Sequence, residues 1–430
     1  MDVRAPVERA ILVGTPSGSE RGGRAREHLA ELARLTDTAG GQVVGELIQR
    51  LQSPRTRYYL GKGKATLLAE LVEEREADLV VFDDELTPAQ GKNLETLCDV
   101  RVMDRAELIL DIFATRARTY EARMQVELAQ LQYLLPRLRR MWVHLSRIRG
   151  GIGLRGPGET QLETDRRLIG TRIAELRRKL KVVARSQATQ RKGREGRFRA
   201  ALVGYTNAGK SSLLQALSGS RQFVEDRLFA TLDASTRVVS LGGGHEALVT
   251  DTVGFIRKLP HHLIASFRST LEEAREADVL LHVIDSSHPD RDSQRQVVRT
   301  VLDDLGLKQR PRVLVFNKID LLGSDDLLAL RKRVTAPGTP RALFTSAVTP
   351  TTLKPLGDEL RARIRARMQQ VSIEVPVEEG KTLARLYEQG EVLSRQQEGT
   401  TVRIVAKAPP ALIGQLRARH GVRVTRDGQH

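Results

Sequence analysis

The sequence predicts a multidomain α/β protein. Short apolar runs alternate with amphipathic stretches over residues 8–117, which is typical of a small parallel α/β domain. Apolar residues then recur at helical spacing over residues 119–195, and strand–glycine–helix patterns return over residues 196–368. We therefore expect an N-terminal parallel α/β domain (residues 1–118), a basic helical hairpin with a glycine-rich loop (119–195) and a doubly wound α/β domain (196–368).

The composition of the chain limits which class of protein it belongs to and which kind of partner it binds. The 430 residues are 40% hydrophobic, enough to bury several separate cores, and they contain a single cysteine, Cys98. There is no apolar run of 18 residues and no signal-peptide pattern at the N-terminus. The formal charge of +17 predicts a polyanionic partner. We expect a soluble, cytosolic protein, monomeric in solution.

The first block is predicted to form a four-stranded parallel sheet. The first apolar run leads into a glycine-containing segment at residues 14–23, and a second glycine pair lies at residues 61–63. Either turn can hold a phosphate, but neither has a lysine and a hydroxyl in place, so ordinary turns are the better interpretation. A second nucleotide such as ATP bound here is the alternative. The predicted strands are Ala10–Val13, Val43–Leu47, Asp78–Phe82 and Val100–Met103, with an amphipathic helix over Ala65–Glu76.

The second block is predicted to be a pair of long helices that carries most of the excess charge. The periodicity places the helices at Tyr120–Leu135 and Thr164–Lys181, able to pair as an antiparallel hairpin. Residues 136–200 contain 19 Lys and Arg against 5 Asp and Glu. A surface of this charge is typical of nucleic-acid binding.

A glycine-rich loop, Arg149–Gly158, lies between the two helices. Its five glycines and one proline cannot continue a helix, and it has almost nothing to bury. It is either a mobile surface loop or a flexible finger that brings the backbone close to RNA. On the second interpretation the candidate RNA contacts are Arg147, Arg149, Gly151, Arg155 and Gly156.

The third block opens with a phosphate-binding pattern. The apolar run Arg199–Val203 is followed by GYTNAGKSS (Gly204–Ser212) and a predicted helix over Ser211–Ser218. The glycines allow a tight turn whose N–H groups face an anion, Lys210 provides charge for the β- and γ-phosphates, and the Ser211 hydroxyl can bind Mg²⁺. The predicted nucleotide contacts are Gly204, Tyr205, Thr206, Asn207, Ala208, Gly209, Lys210, Ser211 and Ser212.

Two further segments fit around the same phosphates. The strand Ala247–Thr250 leads into a D-x-x-G sequence, in which Asp251 can hold Mg²⁺ through water and Gly254 can offer its N–H to the γ-phosphate. Between the two patterns, Thr231 is the candidate second hydroxyl on Mg²⁺. The predicted contacts are Phe229, Ala230, Thr231, Leu232, Asp233, Asp251, Thr252, Val253 and Gly254.

The residues that follow two further predicted strands indicate which nucleotide base is bound. After the strand Arg312–Phe316, the Asp320 carboxylate can accept from guanine N1–H and the 2-amino group, a pair that adenine lacks. After the strand Arg341–Phe344, a backbone N–H can meet guanine O6. The predicted base contacts are Asn317, Lys318, Asp320, Thr345, Ser346 and Ala347, so the ligand is GTP or GDP with Mg²⁺.

Taken in order, these motifs resemble the HflX family of translational GTPases. The most specific part is the stretch from Gly150 to Arg167, which lies outside the nucleotide-binding block, and the similarity covers essentially the whole chain. The resemblance implies a GTPase that binds the large ribosomal subunit and its RNA, and that splits stalled or idle ribosomes under stress. It also implies a small C-terminal α/β module (residues 369–430) with strands near Val371–Val375 and Thr401–Val405.

One position departs from the Ras pattern. Phe255 stands directly after D-x-x-G, where Ras-type GTPases have a glutamine that orients water. Phenylalanine cannot do this, so the catalytic group is unknown and hydrolysis by the protein alone is expected to be slow; Arg257 is a minor candidate for a charge donor. The alternative function is an RNA-binding assembly or anti-association factor that uses GTP as a structural clip with little turnover. A P-loop ATPase is disfavoured by Asn317 and Asp320.

Overall fold

The computed structural model describes residues 7–16, 22–141, 157–192, 196–220, 227–259, 268–334, 340–419 and 421–426. They fall into two compact units. The first consists of Met1–Ala184 with Glu225–Asp233 and Arg257–Ser269, and the second of Arg185–Val224, Ala234–Ile256 and Thr270–His430. Each unit therefore contains segments that are far apart in the sequence. The domain boundaries at residues 118, 195 and 368 stay predictions.

The N-terminal sheet is parallel throughout, as predicted. Its strands are β1 (Arg9–Gly14), β2 (Gln42–Ile48), β3 (Leu79–Phe82) and β4 (Arg101–Asp104). They lie in the order β2-β1-β3-β4, so the connection that follows β1 and the connection that follows β3 run toward opposite edges of the sheet. The helices are α1 (Gly22–Ala39), α2 (Lys62–Glu74), α3 (Pro88–Cys98) and α4 (Arg105–Arg116).

Two long helices follow, α5 (Tyr120–Met141) and α6 (Pro157–Lys192). Their apolar faces meet around Met124, Leu128, Ile173 and Leu176, and this confirms that the second block is helical. However, α6 begins seven residues earlier than predicted, at Pro157. The Pro-Gly pair at the end of the predicted loop therefore begins the helix. Proline is well accommodated there because the N–H groups of a first helical turn have no partner within the helix, so no hydrogen bond is lost when the N–H is missing. Residues 142–156, which include all five candidate RNA contacts, lie outside the described residues.

The second unit contains a six-stranded sheet of order β10-β9-β8-β5-β7-β6, in which only the β6–β7 pair is antiparallel. Its strands are β5 (Phe198–Gly204), β6 (Ser235–Ser240), β7 (Glu246–Asp251), β8 (Val279–Asp285), β9 (Arg312–Asn317) and β10 (Ala342–Phe344). Its helices are α7 (Lys210–Ser218), α8 (Arg268–Glu276, whose first two residues belong to the first unit), α9 (Arg291–Asp304), α10 (Ser324–Val334) and α11 (Lys354–Ala366), with short 3₁₀ turns at Ile319–Leu321 and Pro350–Leu353.

The C-terminal module is an antiparallel sheet of order β12-β13-β11-β14 with two helices. Alternate residues of β11 and β13 are fully buried, including Val371, Ile373 and Ile404. The elements are β11 (Gln369–Pro376), α12 (Gly380–Gln389), β12 (Glu391–Glu398), β13 (Thr401–Ala408), α13 (Pro410–Arg417) and β14 (Arg423–Arg426). Among the described residues, no helix has the length and apolar character needed to cross a membrane.

Candidate nucleotide-binding site

The phosphate-binding pattern forms the turn between β5 and α7. Gly204 ends β5, where a Cβ atom would lie 2.3 Å from the carbonyl oxygen of Val283, so only glycine fits. Gly209 precedes α7 with φ +86°, a conformation that favours glycine, and Asn207 also has a positive φ, of 59°. The sequence therefore produces the strand–turn–helix that a phosphate cradle requires.

Lys210 lies inside this turn and is almost fully buried. Its Nζ donates to the carbonyl oxygen of Tyr205 at 3.0 Å and to that of Gly204 at 3.4 Å. Burial lowers the pKa of Lys210 to about 8, and the nearby Asp251 carboxylate acts in the opposite direction. A phosphate placed in the turn would supply the negative charge that this buried ammonium group favours.

Two oxygen ligands suited to Mg²⁺ meet beside the turn. The Ser211 hydroxyl donates to Asp251 Oδ2 at 2.6 Å, and Asp251 is buried at the end of β7. Mg²⁺ prefers oxygen ligands and is commonly held by one or two protein groups together with substrate phosphates and water. The donor set at this position therefore fits Mg²⁺ bound with a nucleotide.

The D-x-x-G segment is fixed against the phosphate-binding turn. Thr206 N–H donates to the carbonyl oxygen of Phe255 at 2.7 Å, and Phe255 N–H donates to that of Gly204 at 3.0 Å. A Cβ atom on Gly254 would lie 2.7 Å from Thr206 Cα, so glycine is required for this approach. Phe255 is 2% exposed, so the position after D-x-x-G holds a buried apolar ring.

The predicted base-recognition residues meet at the ends of β9 and β10. Asn317 Nδ2 donates to the carbonyl oxygen of Ala208 at 3.0 Å, and Thr345 Oγ1 donates to Asn317 Oδ1 at 3.4 Å. The Asp320 carboxylate lies in an exposed 3₁₀ turn, where it is accessible to a ligand. Asn317 thus connects the phosphate-binding turn to the T-S-A segment (residues 345–347).

The structure also reveals an ion-pair partner of Lys318 that the sequence did not predict. Lys318 Nζ lies 2.8 Å from Asp285 Oδ2, and this ion pair holds the side chain at the end of β8. The signal was available, because Asp285 ends a buried strand that neighbours β9. Ser346 is fully buried, and its N–H donates to Thr352 Oγ1 at 2.8 Å.

The Phe229–Asp233 segment belongs to the first compact unit. The ring of Phe229 packs edge-on against Phe113, with 4.7 Å between ring centres. Asp233 accepts hydrogen bonds from Thr119 N–H and Arg118 N–H, both at 3.3 Å, at the N-terminus of α5. Contact of this segment with a nucleotide, and of Thr231 with Mg²⁺, stays a prediction.

Three family models match consecutive parts of the chain. They are described as GTP-binding GTPase N-terminal (residues 26–114), GTP-binding GTPase Middle Region (116–194) and 50S ribosome-binding GTPase (199–318).

Curated relatives are similar over most of the chain. A GTPase HflX from Flavobacterium psychrophilum is 46% identical over 85% of this chain and 92% of its own length. Those from Caldanaerobacter subterraneus subsp. tengcongensis (45%; 95% and 93%) and Escherichia coli (43%; 84% and 85%) are comparable. A crystal structure of a GTP-binding protein from the archaeon Sulfolobus solfataricus in complex with GDP is 24% identical, covers 83% of this chain and 99% of its own, and gives a TM-score of 0.43.

Proposed function

The chain belongs to the HflX family of GTPases, and from this premise we propose that it binds the large ribosomal subunit and splits stalled or idle ribosomes under stress. It would act in the cytosol as a monomer. A family model described as a 50S ribosome-binding GTPase matches the nucleotide-binding block, which supports this partner. The observation that carries the proposal is the exposed basic surface of α6, on the same chain as a guanine-nucleotide site.

The α6 surface has the charge and exposure expected of an RNA contact. Arg166, Arg167, Arg177 and Arg178 are all exposed. By contrast, Arg172 is paired with Glu127 at 2.7 Å, on the side of α6 that meets α5. Exposed arginines bind RNA phosphates and release counterions, so their contribution to affinity falls with salt. The glycine-rich loop between α5 and α6 would then determine where on the RNA the hairpin is placed.

The nucleotide site supports the chemistry of a GTPase that depends on its partner. Lys210 provides charge for the β- and γ-phosphates, Asp320 selects guanine, and Ser211 with Asp251 would hold Mg²⁺, which would neutralise phosphate charge. Because Phe255 cannot position a water molecule, this chain contributes binding and charge rather than a general base, and turnover alone is slow. We propose that contact with ribosomal RNA completes the site.

The test is GTP turnover with and without purified large subunits, across a series of salt concentrations. We expect stimulation by the subunits that declines as salt rises. Arg177→Glu combined with Arg178→Glu should weaken subunit binding and reduce its salt dependence. The matched control, Lys308→Glu combined with Lys332→Glu, makes the same charge change at exposed positions elsewhere and should leave binding unchanged. Equal loss in both pairs would show that only net charge matters and would overturn the assignment of α6.

A second experiment separates ribosome splitting from a structural role of GTP. With a nonhydrolysable GTP analogue, a recycling enzyme stops after one round of splitting, whereas a clip acts fully. Replacing residues 151–157 by a short polar turn should leave GTP binding nearly intact and abolish subunit dissociation. If the shortened protein splits ribosomes at the parental rate, the loop is only a connector.

A further inference from the structure

An aspartate at the end of β8 binds the lysine that follows the neighbouring strand β9. Asp285 is the last residue of β8 and lies opposite Asn317, the last residue of β9. Its Oδ2 atom is 2.8 Å from Lys318 Nζ, and the side chains of Lys318 and Asp285 are 25% and 13% exposed. Asp285 belongs to none of the nucleotide-binding motifs of the sequence, so its contribution to the site needs a separate explanation.

The Asp285 carboxylate is itself fixed by hydrogen bonds. Its Oδ1 atom accepts from Ser287 N–H at 3.0 Å and from the Ser287 hydroxyl at 2.6 Å, which leaves Oδ2 for the lysine. The two strand ends are also connected through the backbone, because Ser286 N–H donates to the carbonyl oxygen of Asn317 at 2.9 Å. Lys318 therefore binds an acceptor whose position is determined by the fold.

The Lys318 side chain is held at both of its ends. Its backbone has a φ of +61°, a left-handed conformation that costs energy in residues other than glycine, and it begins the 3₁₀ turn that contains Asp320. Its Cε atom passes close to the phosphate-binding turn, since a Cβ atom on Gly209 would lie 3.9 Å from it. The methylene stem of Lys318 therefore runs from the end of β9, past Gly209, to the carboxylate of Asp285.

A fixed methylene stem provides a surface for the flat face of a purine. The Asp320 carboxylate can bind only the edge of a base, whereas ligand sites surround most of a ring with apolar groups. The stem of a lysine can serve as such a group while its ammonium group is bound elsewhere. A lysine without an anchor loses rotamer entropy when a ligand orders it. Because Asp285 already holds Nζ, less of this entropy is lost when a nucleotide binds.

We propose that Asp285 is a positioning residue of the guanine site, which acts by fixing the Lys318 side chain as a surface for the base. The inference rests on the proposed assignment of the guanine site to Lys318 and Asp320. The effect of Asp285 on affinity passes through Lys318 alone. Because a contact with the base is the same for GDP and GTP, it strengthens the binding of both equally and leaves the chemical step unchanged.

The experiment is a double-mutant cycle between Asp285 and Lys318, using the full chain without ribosomes, so that its outcome is independent of the proposed partner. Asp285→Asn keeps the shape of the side chain and removes its charge, and Lys318→Met keeps most of the stem and removes the ammonium group. The readouts for the parent, the two single variants and their combination are the Kd values for GDP and for a nonhydrolysable GTP analogue, and the kcat and KM of unstimulated GTP hydrolysis.

The expected results separate a positioning role from a structural one. Asp285→Asn should weaken the binding of both nucleotides by about tenfold, and it should raise KM while kcat stays the same. In the Lys318→Met background the same change should alter either Kd by less than about twofold, because the contact is already lost. A residue that only stabilises the fold would instead weaken binding equally in both backgrounds, and that result, or a fall in kcat, would overturn the proposal.

Two reference variants complete the experiment. Asp292→Asn removes an exposed ion pair with Arg333, 2.9 Å long, from the same unit and should leave every readout unchanged. If Asp320→Asn weakens GDP binding but Asp285→Asn does so by less than about threefold, the guanine site stands and the role of Asp285 is refuted. If neither change weakens GDP binding, both assignments are wrong. Thermal unfolding without nucleotide reports folding. Should Asp285→Asn fold poorly, Lys318→Met alone decides, since a loss below about threefold would show that the anchored ammonium group is not needed.

Discussion

The hydrogen bond from Asn317 to the phosphate-binding turn allows a test of the site by exchanging one atom. Asn317→Asp preserves the shape of the side chain but replaces the Nδ2 donor by an oxygen. That oxygen would face the carbonyl oxygen of Ala208, which is 3.0 Å from Nδ2 in the parent. The variant therefore converts an attraction into a repulsion between two acceptors.

The size of the expected loss of nucleotide affinity follows from the burial of Asn317. Asn317 is 1% exposed, so water cannot replace the lost donor. Leaving a buried acceptor unsatisfied costs about 1–3 kcal/mol, and more when a charge is involved. A cost of about 3 kcal/mol corresponds to roughly a 100-fold loss of affinity. Because the bond supports the turn as a whole rather than the γ-phosphate, GDP and GTP should be affected equally.

The assay is an equilibrium titration with fluorescent GDP and with a fluorescent GTP analogue. Thr345→Val is the control, since it removes only the longer 3.4 Å bond to Asn317 Oδ1 and is expected to cost less than about fivefold. The reasoning is refuted if Asn317→Asp binds GDP within about threefold of the parent, or if it loses affinity for GTP alone.

Three further outcomes are expected. Asp320→Asn should weaken GTP binding and shift preference toward xanthosine triphosphate in competition titrations. Unchanged GTP affinity would show that the guanine site has been assigned to the wrong residues. Asp233→Asn should lower the Tm by about 2–4 °C through loss of its bonds at the N-terminus of α5. Asp290→Asn, at a helix start without a side-chain capping bond, should not change the Tm. Burial lowers the pKa of His282 to about 3, so below pH 6.5 the unfolded chain takes up a proton that the folded chain does not. Denaturant titrations should show stability falling from pH 6.5 toward pH 3, and less steeply in His282→Leu.

Sequence patterns predict those parts of the fold that local physics determines. The apolar runs that became β1, β3, β5 and β9 are each followed by glycine or polar residues, and the structure confirms them. The edge strand β12 was not predicted, because seven of its eight residues are exposed and its burial shows no alternation. The start of α6 was missed because Pro157 and Gly158 were interpreted as loop residues, although proline is favoured in a first helical turn.

The candidate site likewise contains residues that the sequence predicts and contacts that it does not. The motif residues at the ends of β5, β7 and β9 could be predicted because each motif is contiguous and its position relative to a strand is readable. The contact of Lys258 with Asp83 and Asp84 joins residues about 175 positions apart, and that of Asp233 with Thr119 joins residues 114 apart. A single sequence carries no periodic or motif signal for such pairs. They become visible only when the chain is folded.

The discontinuous composition of the first unit has a consequence for the order of synthesis. The unit includes Arg257–Ser269, so its fold cannot be completed until translation has passed residue 269, well inside the nucleotide-binding block (196–368). Until then Phe113 lacks the ring of Phe229, the α5 N-terminus lacks Asp233, and the carboxylates that follow β3 lack Lys258. A fragment that ends before residue 225 therefore carries an unfinished apolar and acidic surface and is expected to aggregate when expressed alone. For the same reason, a chimera that exchanges nucleotide-binding blocks between relatives must match residues 225–233 and 257–269 to the recipient's N-terminal half.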